Sequence, residues 1–121
     1  MRPKGMRYVL VLLALIVAAN SAVAGDIRKG AVMQVKPDTI YFEQAADLTQ
    51  WQTLKKAGDA AALTAFETEK LGSRDAWQLS YPHQVKILGY EPKSNQANVQ
   101  IETTGRFEGL SYMIDAGALT K

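Results

Sequence analysis

The sequence predicts an α+β chain, mostly β: a small five-stranded barrel with an inserted helical hairpin, preceded by a cleavable signal peptide. Three observations lead there. The first 24 residues fall into the three zones of an export signal. Residues 47–72 place apolar side chains at helical spacing, with a glycine stop at each half. The segments on either side alternate polar and apolar residues, or are β-branched and aromatic, as short strands are.

In the leader, Arg2, Lys4 and Arg7 form a positive end, and Tyr8 to Ala19 is an uncharged apolar run of 12 residues. Asn20 and Ser21 break it. Ala22 and Ala24 then put small side chains at −3 and −1 of a cut before Gly25. The run is shorter than the roughly 20 apolar residues of a spanning helix, so cleavage is expected over anchoring, with no stable membrane anchor afterwards. A lipid anchor would need a cysteine, and there is none. Periplasmic or secreted localisation follows.

The expected organisation is residues 1–24 signal peptide, 25–30 a flexible N-terminus, and 31–121 one domain. The precursor carries 14 Lys+Arg and 12 Asp+Glu, net +2. Without Arg2, Lys4 and Arg7 the balance is 11 basic to 12 acidic, net −1. That removes the electrostatic case for nucleic acid as a partner. The zero cysteine count removes thiolate metal sites, thiol catalysis and disulfide staples. The remaining 97 residues must hold together by their core.

Along that stretch, residues 31–36 can be extended, Pro37-Asp38 signals a turn, and Thr39–Phe42 reads as a strand. Asp47, with Gln50 three residues on, predicts a capping box for a helix bearing Leu48, Trp51 and Leu54 on one face. Gly58 stops it, and Asp59 caps a second helix with Ala62, Leu63, Phe66 and Leu71 as its stripe, closed by Gly72. Ser73-Arg74-Asp75 is placed for a local salt bridge. Residues 76–80, 84–90, 97–102 and 110–114 read as strands, with a hairpin loop at 91–96 and a short helical turn at 115–119. A sheet this small must close or be covered to protect its edges, so a barrel is expected.

Val35-Lys36-Pro37-Asp38-Thr39-Ile40, the Asp47–Asp59 helix pair, Gln84–Leu88 and the closing Gly109–Leu119 run resemble a bacterial SH3-like barrel. That resemblance implies a non-catalytic binder of cell-wall or protein ligands. The Ala-Leu-Tyr-type motif of proline-peptide grooves is missing, so proline-peptide binding is not implied.

Catalytic signals are sparse. His83 is the only histidine, and Tyr81-Pro82-His83 reads first as an exposed turn. A pH-responsive contact is its sharper alternative. Glu67 and Glu69 point to different sides of a helix, so no acid pairs with a base, and neither metal nor cofactor is expected. Trp51, Phe66 and Trp77 are expected in the core. Tyr81, His83, Tyr90, Phe107 and Tyr112 lie at turns or strand edges, where they could line a ligand groove. The expected function is an exported module that recognises an envelope protein or a cell-wall component. The alternatives are a structural subunit of an envelope machine (a secretion or conjugation apparatus) and a small hydrolase using His83.

Overall fold

The computed structural model describes residues 24–121. The expected signal peptide therefore lies outside the described residues except for Ala24, which opens a 3-10 turn, Ala24–Asp26.

Two short strands come first: β1 (Val32–Val35) and β2 (Thr39–Phe42). Helices α1 (Ala45–Ala57) and α2 (Ala60–Ser73) follow. The rest is β3 (Ala76–Leu79), β4 (His83–Glu91), β5 (Gln96–Ile101), β6 (Ser111–Asp115), a 3-10 turn (Ala116–Ala118) and β7 (Leu119–Thr120). The seven strands form one antiparallel sheet in the order β3-β2-β6-β5-β4-β1-β7. The α+β class and the inserted helix pair are as the sequence predicts. The count is not: the described residues form seven strands rather than five, and the sheet is open, ending at β3 and β7. The segment at 31–36 forms a strand of its own, with neighbours different from those of β2 across the Lys36-Pro37-Asp38 corner, and β7 adds a two-residue strand.

That corner forces the sheet to coil. From Val35 to Thr39 the chain reaches at most about 14 Å. Four strand spacings across a flat sheet, the separation of β1 and β2 in the order, come to about 19 Å. The sheet must therefore curl so that β1 and β2 approach. Asp38, at φ 65°, takes the left-handed backbone this corner requires, a conformation Asp tolerates better than most residues.

Curling creates two cores. The larger lies inside the coil and includes Val35, Tyr41, Leu79, Val85, Ile87, Val99, Ile101 and Ile114. The smaller lies under the helices: Ile40, Phe42, Leu48, Phe66 and Ala76, with Trp51, Leu54 and Leu71 against them. The β2–β3 ribbon serves both because side chains alternate along a strand. Tyr41 and Leu79 face the coil; Ile40, Phe42 and Ala76 face the helices. Burying Leu48 and Phe66 stabilises the helical layer by roughly 2 kcal/mol each.

Gly58 ends α1 at φ 76°, and the Asp59 carboxylate accepts the Ala62 backbone N–H at 3.0 Å, as expected of its cap. The expected Asp47 cap is not what starts α1. The helix begins at Ala45, behind Gln44, which is extended and makes no side-chain cap bond. Asp47 sits in the first turn and pairs with Lys70 of α2 at 3.3 Å. Nor does Gly72 close α2, which runs on to Ser73 and ends at Arg74 in the left-handed region. At the following turn, Ser73 Oγ donates to Asp75 at 2.7 Å, where a salt bridge was expected.

Residues 25–30, read from the sequence as a flexible lead-in, carry Ile27 into the larger core. The Gly30 N–H donates to the Ile87 carbonyl at 2.7 Å, and Asp26 pairs with Lys121 at 3.2 Å. Among the described residues no helix is long and apolar enough to cross a membrane.

Candidate functional site

Three of the five aromatic and imidazole side chains singled out in the sequence meet at one place. Tyr81, His83 and Phe107 line a cleft of about 380 Å³ between the end of β3, the start of β4 and the β5–β6 loop. That is within the range of small-ligand pockets, roughly 300–1,000 Å³. Gln78 and Thr103 supply polar groups at its walls, and among the described residues Arg106 is the one charged side chain lining it.

Tyr81 is 69% exposed, the most exposed large apolar side chain among the described residues. Its ring stacks on His83 at 5.8 Å between centroids and 24° between planes. His83 is buried, at 7% exposure, which corrects the exposed turn expected for it. Strand β4 begins at His83 and pairs it with Val35 of β1, and this register turns the ring inward. Its Nδ1 lies 2.8 Å from the Tyr81 carbonyl oxygen. A carbonyl only accepts, so Nδ1 carries a proton and donates this bond. Among the described residues no carboxylate is bonded to the ring.

Beyond His83 the aromatic contacts run inward. Tyr41 meets His83 edge-on at 6.3 Å and Tyr112 edge-on at 5.8 Å. The Tyr41 hydroxyl is buried without a partner among the described residues. Burial raises its phenol pKa well above the ordinary range. Burial also raises that of Tyr112, and the nearby Glu43 carboxylate adds to the effect. On the other wall, Phe107 packs edge-on against Trp77 at 5.5 Å, and Arg106 lies 5.7 Å over the Phe107 ring. Trp77 Nε1 donates to Glu43 at 3.0 Å, which fixes the indole under the loop.

The other two singled-out residues are elsewhere. Tyr112, 5% exposed, is a core side chain of β6. Its place in an alternating strand, between Ser111 and Met113, signals an inward face. Tyr90 is half-buried near the β4–β5 hairpin, its hydroxyl 3.5 Å from Asn95 Oδ1. Gln78, Thr103 and Arg106 were not legible as cleft residues. They come from segments 25 or more positions apart, which only the coil brings together.

Among the described residues no three His, Asp or Glu side chains gather as metal ligands would. No family model, no curated protein and no solved structure matches this chain.

Proposed function

We propose that this chain is an exported, non-catalytic binding module of the cell envelope, periplasmic or secreted, that holds an envelope protein or a cell-wall component in the Tyr81–His83–Phe107 cleft. The observation that carries the reading is the pairing of a 69% exposed tyrosine with a buried histidine beneath it. Large amphipathic rings at the mouth of a concave site give contact area at low entropic cost and a polar tip for orientation.

Kinship to bacterial SH3-like barrels belongs to the same proposal. It is supported by the closing order β6, 3-10 turn, β7, with β7 paired antiparallel to β1. Absence of cross-strand NOEs between residues 34–35 and 119–120 would remove that support.

The functional reading is tested by co-sedimenting the protein with purified sacculi and by cross-linking it in envelope extract, each with wild type and Tyr81→Ala. Retention in either experiment, reduced at least tenfold by the substitution, is expected. No retention in both would defeat the proposal.

A further inference from the structure

A second cleft, of about 570 Å³, lies between the second half of α1 and the β4–β5 hairpin. Lys55 and Lys56 line it from the helix and Lys93 from the hairpin. Lys56 and Lys93 have no ion-pair partner among the described residues. The one carboxylate lining the cleft among the described residues, Asp115, is already engaged: Oδ1 accepts Gln52 Nε2 at 2.7 Å, and Oδ2 accepts the Gly117 N–H at 3.0 Å.

The floor is built rather than incidental. Gln96 is buried, and its Nε2 donates to Thr49 Oγ1 at 2.8 Å and to Gln52 Oε1 at 3.0 Å. Gln52 Nε2 also reaches the Asn95 carbonyl at 3.2 Å. These bonds clamp the helix to the hairpin and hold the two lysine-bearing walls at a fixed separation. Three cations face one occupied carboxylate, while residues 25–121 as a whole are net −1. The negative end of the α1 dipole, about half a unit charge, is outweighed by Lys55 and Lys56 together.

We propose that this cleft binds an acidic peptide segment, through carboxylates set against Lys55, Lys56 and Lys93. Two other anionic ligands fit less well. A phosphate group would favour a helix N-terminus, a glycine-rich nest or an arginine fork; the cleft takes the C-terminal half of α1 and is lined by neither arginine nor glycine. A carboxylated glycan would favour an open aromatic platform. Trp51 does not provide one, because Lys55 lies 4.8 Å over its ring, Phe42 packs against it at 6.1 Å, and its N–H is held by Glu67 at 2.7 Å. Compact ammonium groups on flexible stems suit single carboxylates spaced along a chain.

The test is a fluorescence-anisotropy titration of a labelled deca-aspartate peptide with the full chain at low salt. The charge-reversing pair Lys56→Glu with Lys93→Glu is compared with Arg28→Glu with Lys86→Glu, an equal charge change at exposed positions outside the cleft. The expected result is saturable binding that weakens as salt screens it. The cleft pair should lower affinity at least tenfold and the control pair less than threefold. Competition by inorganic phosphate and by oligogalacturonate should be weaker than by unlabelled peptide. Absence of peptide binding, equal loss in both variant pairs, or stronger competition by phosphate or glycan would each overturn the proposal.

Discussion

Tyr81 and His83 are joined twice across Pro82: their rings stack at 5.8 Å, and the His83 Nδ1–H is held by the Tyr81 carbonyl at 2.8 Å. The exposed ring is thus set by the buried one, and the turn that carries both is fixed by a side chain anchored in strand β4. His83→Phe keeps a ring but loses the bond. We expect a cost of about 1 kcal/mol in urea unfolding, together with faster backbone motion at Tyr81 in ¹⁵N relaxation. Unchanged stability and unchanged relaxation would show that the bond does not set the turn.

Tyr41 offers a less intuitive outcome. Its hydroxyl is buried and has no partner among the described residues, so deleting it removes a desolvated group and none of their bonds. Tyr41→Phe is expected to stabilise the protein by about 1 kcal/mol at neutral pH. The pH dependence has a definite sign. In the unfolded chain the phenol ionises near 10.0; in the folded state burial holds the proton to higher pH. The unfolded state therefore loses its proton first. The tyrosine's contribution is fully present below about pH 10 and is lost as pH rises above it. Tyr41→Phe should flatten that alkaline loss, leaving the smaller share due to Tyr112. Thermal melts between pH 7 and 11 read both effects.

Trp51 and Glu67 tie α1 to α2 by one charged hydrogen bond of 2.7 Å. Glu67→Ala should cost about 1.5–2 kcal/mol in chemical unfolding, since it strands a half-buried indole N–H. Glu67→Gln, which keeps an acceptor, should cost less than half of that. Equal costs for the two would mean that the carboxylate acts through something other than this bond.

The two helix ends make a matched pair of backbone predictions. Gly58 caps α1 at φ 76°, and Arg74 caps α2 at φ 65°. Nothing lies within 4 Å of a β-carbon built on Gly58, so Gly58→Ala should cost roughly 1 kcal/mol from backbone strain alone. Arg74→Gly should be stabilising or neutral, because it relieves the same strain. Thermal denaturation of both variants checks this, and shifts of the same sign would contradict it.

The sequence made the helical hairpin legible because its signals are local. Gly58-Asp59 is a stop followed by a cap, and Leu48, Trp51 and Leu54 recur on one face of the first helix. The α1 start was missed because Gln44-Ala45-Ala46 carries neither a capping side chain nor an apolar rhythm, so Asp47, already inside the helix, looked like the boundary. The strands of the β4–β5 hairpin were legible from alternation, and Val85, Ile87, Val99 and Ile101 are all fully buried. Strand β7 has only two residues, too few for a period to show, and it exists because Gln34 and Val35 offer it an edge. At the site, exposure of Tyr81 could be read from its turn, but burial of His83 could not. That burial depends on pairing with Val35, almost fifty residues away.

The central claim is that the Tyr81–His83–Phe107 cleft is where a ligand is held. The most direct measurement is an amide shift map of ¹⁵N-labelled protein titrated with soluble muropeptides and, separately, with the envelope protein recovered by cross-linking. With one of these two, the account predicts the largest shifts at residues 78–83 and 103–107, abolished by Tyr81→Ala. Shifts centred on any other surface, or a map that Tyr81→Ala leaves unchanged, would contradict it.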